Sequence, residues 1–238
     1  MVKNVKELIL DMVYPKTCPF CGKVPERGEM VCRKCRRGLT YIQEPRCMKC
    51  SKPILDVEEE YCYDCRAKQH SYRSGRAVWV YDDTMRQSIS RYKYQGSLEY
   101  VLVYGEEIVK QYGEWIRAHG EILVPIPLHK RKRRSRGFNQ AEILADVIGK
   151  KLQLPVMRDV LLRNKDTLPQ KELSDTERLK NLQEAFAVNK KQFSPVNKVM
   201  LVDDIYTTGS TIEACAKVLY EAGVKEVYFI SICIGKGF

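Results

Sequence analysis

Residues 199–211 read Val199-Met200-Leu201-Val202-Asp203-Asp204-Ile205-Tyr206-Thr207-Thr208-Gly209-Ser210-Thr211. Four apolar residues without polar alternation are the pattern of a parallel strand buried on both faces. Two acids follow at its carboxyl end, the edge where open α/β sheets bind ligands. The small, hydroxyl-rich residues Thr207–Thr211 then lead into the amino end of a helix. Backbone amides, hydroxyls and a glycine in that position make a cradle for phosphate, although an ordinary strand-to-helix turn is the plain reading. A strand ending in Asp-Asp also suits a nucleoside triphosphatase, but that class needs Gly-x-x-x-x-Gly-Lys-Ser/Thr, which this chain lacks.

These thirteen positions resemble the phosphoribosyl diphosphate (PRPP) motif of type I phosphoribosyltransferases. The resemblance implies an α/β fold with a mostly parallel sheet. It also implies that Asp203 and Asp204 hold ribose hydroxyls, that Thr207, Thr208, Gly209, Ser210 and Thr211 wrap the 5-phosphate, and that pyrophosphate with its Mg2+ is held elsewhere.

A second apolar strand is expected over Ile122–Ile126, ended by Pro125 and Pro127, which cannot continue a ladder. His129–Arg136 then packs Lys130, Arg131, Lys132, Arg133, Arg134 and Arg136 together, before Gly137-Phe138-Asn139-Gln140 and a helix over 141–152. The chain's formal charge is +11 over 238 residues, and residues 124–150 hold seven Lys/Arg against two Asp/Glu. A basic loop between a buried strand and a helix start lies at the same sheet edge as Asp203. Pro125, Ile126, Pro127, Arg131, Arg133, Arg134, Arg136 and Gly137 are therefore expected to take a dense anion through arginine forks and helix amides. Pyrophosphate and a nucleic-acid backbone both fit, and a solvated basic face is the alternative.

Eight of the ten cysteines form four Cys-x-x-Cys knuckles, Cys18/Cys21, Cys32/Cys35, Cys47/Cys50 and Cys62/Cys65, separated by ten, eleven and eleven residues. Two knuckles supply the four thiolates of a closed tetrahedral site, the arrangement structural zinc prefers, so two zinc ions are expected. Sequential pairing is expected, although the spacing also permits interleaving. A redox dithiol fits four regular pairs less well. Eight thiolates and two zinc ions would cancel the nominal +4 of residues 1–70, leaving Arg33, Lys34, Arg36 and Arg37 as a local basic patch. The ribbons either fold a segment too small for its own core or dock a protein or nucleic acid. Cys215 and Cys233 read as inert core residues.

Elsewhere, Val5, Leu8, Ile9, Met12 and Val13 repeat at helical spacing, giving either a lid on a core or a contact with the inner face of a membrane. No apolar run approaches the ~20 residues of a membrane span, and Glu7 and Asp11 spoil a signal peptide, so the cytoplasm is expected. A strand is expected over Ala77–Tyr81, with helices over Thr84–Tyr94 and 98–118. Arg91, Tyr92, Lys93 and Tyr94 mix base and aromatic, either to stack single-stranded nucleic acid or as a solvated helix end with half-buried tyrosines. Residues 163–173 are polar and contain Pro169, and Ser174-Asp175-Thr176-Glu177 is a capping box. The motif helix is expected over Ser210–Glu221 and a last strand over Val227–Ile232.

Val124-Pro125-Ile126-Pro127-Leu128 and Arg136-Gly137-Phe138-Asn139-Gln140, with Leu162-Arg163, Thr167, Gln170, Arg178 and Asn181 downstream, resemble the competence protein F (ComF) family. With the knuckles ahead and the PRPP motif behind, the likeness covers nearly the whole chain. It implies a helix and double zinc ribbon over 1–70 and a type I phosphoribosyltransferase-like domain over 71–238. Related phosphoribosyltransferases close a mobile loop over the ligand. Arg163, Lys165, Thr167, Gln170 and Arg178 are the corresponding residues, with Arg163, Lys165 and Arg178 completing the anion shell; a plain surface connection is the alternative. The resemblance further implies handling of incoming single-stranded DNA in natural transformation, with PRPP as ligand and competence DNA-translocation proteins as partners. A transferase passing ribose 5-phosphate from PRPP to an unidentified base or amine is the other function left open.

Overall fold

The computed structural model describes residues 16–164, 184–194 and 196–237. The helix expected over Val5–Val13, the capping box, and Lys165, Thr167, Gln170, Arg178 and Asn181 lie outside the described residues. Two one-turn helices, α1 (Arg33–Arg37) and α2 (Tyr63–Ala67), belong to the cysteine-rich region. After them come β1 (Gly75–Val80), α3 (Asp83–Tyr94), α4 (Tyr100–His119), β2 (Ile122–Pro125), α5 (Lys130–Arg136) and α6 (Gln140–Leu152). The chain finishes with β3 (Leu161–Arg163), β4 (Phe186–Val188), β5 (Lys198–Tyr206), α7 (Ser210–Glu221) and β6 (Glu226–Ile234).

Four strands make one parallel sheet in the order β1-β6-β5-β2. The apolar run that opens β5 explains its own burial. Val199 and Leu201 point into a core with α7 and the second cysteine module, while Met200 and Val202 point into a core with α3, α4 and α6. All four are fully buried, and each contributes roughly 1.5–3 kcal/mol of transfer free energy. A parallel sheet covered on both sides leaves no reason for polar alternation.

Register then places the cleft. Pro125 pairs with Val202, and Asp203 pairs with Ser231. The chain leaving β2 at Ile126 and Pro127 therefore runs beside the two acids that follow Val202 within β5. Extended geometry continues further than the motif suggests, since β5 reaches Tyr206 and β6 reaches Ile234.

Two expectations need correction. The basic run is a helix, α5, and not a loop. His129 caps it by accepting from the Arg131 amide (3.4 Å), and Gly137 ends it in the left-handed region at φ 80°. Lysine and arginine are good helix formers, so the run had the propensity for a turn of helix once a cap and a glycine framed it. Arg163 lies not in a loop but in β3, in an antiparallel hairpin opposite Phe186 of β4, with its guanidinium 5.2 Å over that ring. Among the described residues, no helix is long and apolar enough to cross a membrane.

Candidate functional site

A cavity of about 150 Å³ opens at the carboxyl edge of β2 and β5. Asp203, Asp204 and Thr211 line one side, Ile126 and Pro127 another, and Lys132, Arg136 and Gln140 a third. A smaller hollow of about 30 Å³ adjoins it, formed by Tyr206–Ile212 together with Asp203. Asp203 and Thr211 border both spaces, so the acids, the hydroxyl loop and part of the basic segment share one continuous cleft.

The acid pair is not left open to water. Lys93 of α3 donates to both carboxylate oxygens of Asp204, at 3.0 Å and 2.8 Å. Burial opposes the lysine's charge, but Asp204 and then Asp203 outweigh it and hold the ammonium above its ordinary pKa. Asp203 is half-buried and accepts from the Asp204 amide at 2.8 Å. Desolvation, reinforced by the Asp204 charge, pushes its carboxyl up to about 7, with Lys93 pulling the other way. Such an acid sits at the edge of ionisation, and a cation or a pair of hydroxyl donors entering the cleft favours its charged form.

Thr207–Thr211 makes the tight turn into α7. Gly209 is in the left-handed region at φ 78° and opens the helix, and a side chain there would run into the Tyr206 hydroxyl. Thr207 and Thr208 are exposed, and the Thr208 and Ser210 hydroxyls lie 3.0 Å apart. The first amides of a twelve-residue helix point out of this turn, the geometry that suits phosphate.

The basic segment divides its work. Arg136 donates to Gln140 Oε1 (3.2 Å) and to the Tyr94 hydroxyl (3.0 Å), and its guanidinium lies 5.0 Å over the Tyr94 ring. It lines the cavity with Lys132. Arg133 instead forms a two-pronged pair with Glu142 (3.1 Å and 3.2 Å), and Arg131 and Arg134 are exposed and do not line the cavity. Asn139 caps α6 through the Ala141 amide (3.1 Å) and ties it to the Ile126 carbonyl (3.0 Å). Gln140 is 1% exposed, and among the described residues its Nε2 has no hydrogen-bond partner.

The segment Arg91–Tyr94 is not the nucleic-acid platform that its composition allowed. Arg91 donates to the carbonyls of Pro19 (3.1 Å) and Phe20 (2.8 Å), Tyr92 is fully buried and donates to the Gln140 carbonyl, and Lys93 holds Asp204. Only Tyr94 is exposed. Lys132, Asn139 and Gln140 stood within the basic run and the Arg136–Gln140 pattern expected at this edge, whereas sequence reasoning missed Lys93, for which no local signal exists.

Cysteines gather as Cys18/Cys21/Cys32/Cys35 and Cys47/Cys50/Cys62/Cys65, with the sulfurs of each group within 4.8 Å of one another. Sulfurs held about 2.3 Å from one tetrahedral ion stand roughly 3.8 Å apart, and the Cys21–Cys32 and Cys50–Cys62 separations are 3.7 Å and 3.6 Å. The donor set therefore fits zinc at both sites. Crowding shows in the acidities: burial and then neighbouring Cys21 push the Cys32 thiol up to about 11, while Cys21 is lowered. Four such thiols ionise together only around a cation. Cys215 and Cys233, fully buried, have thiols that burial raises well above the ordinary range, as inert core residues should.

The double zinc ribbon domain family matches residues 9–66, and the phosphoribosyl transferase domain family matches residues 134–237. The chain is 31% identical over 206 residues to competence protein ComFC of Bacillus subtilis (strain 168), covering 87% of this chain and 72% of that protein. It is 39% identical over 109 residues to competence protein F of Haemophilus influenzae, covering 45% of this chain and 47% of the relative. With DNA utilization protein YhgH of Escherichia coli (strain K12) it shares 32% identity over 113 residues, 47% of this chain and 48% of the relative. The last two alignments span about half the length of each relative. Matched along most of its length by ComFC, and carrying both the ribbon and the phosphoribosyl transferase domain, the chain belongs to the ComFC family of competence proteins.

Proposed function

We propose that this chain binds Mg2+-PRPP in the cleft between β2 and β5 and acts in natural transformation, handling incoming single-stranded DNA in the cytoplasm. The observation that carries the ligand is the juxtaposition of the Asp203–Asp204 pair and the Gly209 turn with Lys132, Arg136 and Gln140 in one cleft. Asp203 and Asp204 would accept from ribose hydroxyls, with Lys93 holding the Asp204 carboxylate in place. Thr207–Thr211 would donate amides and hydroxyls to the 5-phosphate, and Arg136, Lys132 and the start of α6 would face the pyrophosphate. Mg2+, which favours phosphate oxygens with few protein carboxylates, would enter with the ligand and offset its charge. Of the expected loop residues, Arg163 already lines the cavity.

The competence role rests on the relatives' names and on the pairing of ribbons with a phosphoribosyl transferase domain. DNA contact would fall to the exposed Arg131 and Arg134 of α5 and to Arg33, Lys34 and Arg37 of α1, which offer charge to a phosphate backbone without base contacts. Competence DNA-translocation proteins would be the partners. The test combines calorimetric titration of PRPP with a salt series of single-strand binding. PRPP binding without turnover, together with salt-dependent DNA binding, supports the proposal. Pyrophosphate release that depends on an added base or amine would instead make the chain a transferase.

A further inference from the structure

The two cysteine modules pack behind different halves of the cleft, one on α3 and the other on Tyr206. In the first, the Pro19 and Phe20 carbonyls, inside the Cys18–Cys21 knuckle, accept from Arg91 of α3, and the Thr17 hydroxyl meets that of Tyr100 at 2.7 Å. Two residues beyond Arg91 on the same helix is Lys93, which holds Asp204. Cys18 and Phe20 share a core with Tyr92 and Tyr104.

The second module reaches the phosphate turn. Cys47, Cys50 and Cys62 share a core with Tyr72, Tyr206 and Ile212. Lys52, paired with Asp64 of the Cys62–Cys65 knuckle, lies over the Tyr206 ring, and Lys49 lies over the Tyr72 ring. The Tyr72 and Tyr206 hydroxyls are 2.5 Å apart. Tyr206 ends β5, and its hydroxyl sits where a Gly209 side chain would be. Beside them the segment from His70 to Tyr72 binds the first turn of α7, the Ser71 amide donating to Glu213 at 2.7 Å.

We infer that the two ribbons are separate braces: the first positions Lys93 and through it Asp204, the second positions the 207–211 turn through the Tyr72–Tyr206 pair. This rests on the proposed ligand only for what the cleft holds. Tyr72, Tyr206 and Arg91 are positioning residues, and the residues they set are distinct, so disturbing one brace should loosen one half of the cleft and spare the other.

The experiment is amide hydrogen exchange on the full chain, wild type against Tyr72→Phe and Arg91→Met, with zinc content measured in each. Losing one net hydrogen bond corresponds to roughly fivefold, so Tyr72→Phe should speed exchange over 205–213 about fivefold and leave 83–94 unchanged. Arg91→Met should do the reverse, both variants keeping two zinc ions. Cys65→Ser and Cys35→Ser, each releasing one ion, should reproduce the same crossed pattern. Exchange rising over both segments together, or over neither, in the two zinc-retaining variants would overturn the inference. Calorimetry with PRPP runs alongside: a wild type that does not bind PRPP removes the ligand, whereas the exchange contrast alone decides the bracing.

Discussion

Lys93 and Asp204 stand 111 residues apart in the chain and meet in a pair whose side chains are only 16% and 13% exposed. That pairing makes α3 part of the cleft wall. It also means that neither partner can be removed alone without leaving a charge in a poor solvent.

Lys93→Met should therefore destabilise the fold by about 3–5 kcal/mol, the usual consequence of orphaning a buried charge. Urea denaturation would measure it. Adding Asp204→Asn to the same chain should recover part of the loss, because the orphaned charge goes too.

Gly209→Ala places a side chain at φ 78° and against the Tyr206 hydroxyl. Strain of this kind costs about 1–3 kcal/mol. Calorimetry should show PRPP affinity falling about tenfold or more, while metal analysis still finds both zinc sites filled.

Among the arginines, the cleft separates those that the basic run merely lists together. Arg136→Gln should weaken PRPP binding by about tenfold, the loss of a charge-assisted contact. Arg131→Gln with Arg134→Gln should leave PRPP affinity within about twofold and reduce the salt slope of single-strand binding. Titrations of the two variants side by side would show whether the work divides this way.

Asp203 gives the protein a pH signature. Its carboxyl keeps its proton up to about 7 in the fold, against 3.8 ordinarily, so between those values the native state binds more protons than the unfolded chain. The stabilising contribution is complete below the lower value and is lost as pH rises through the upper one. Relative to Asp203→Asn, the wild type should lose stability between about pH 4 and 7 and change little above about 8, read from urea midpoints.

The phosphate turn and the cysteine modules were legible because their chemistry is local. Asp203 to Thr211 are consecutive, and each knuckle spans four residues, so spacing alone reports which atoms can converge. What converges through topology was not legible. Lys93 looked like part of a basic-aromatic helix end, and only the packing of α3 against the end of β5 turns it toward Asp204. Arg133 and Arg136 are three residues apart with the same chemistry, yet one is spent on Glu142 and the other faces the cavity. The hairpin of β3 and β4 was hidden for the same reason, its strands being three residues each and paired across a long sequence gap.

The most direct measurement is calorimetric titration of the zinc-loaded chain with Mg2+-PRPP, compared with Asp203→Asn/Asp204→Asn. Saturable binding by the wild type, abolished in the double variant with zinc content unchanged, is the expected result. Equal heats from both proteins, or none from the wild type, would contradict the assignment of the cleft.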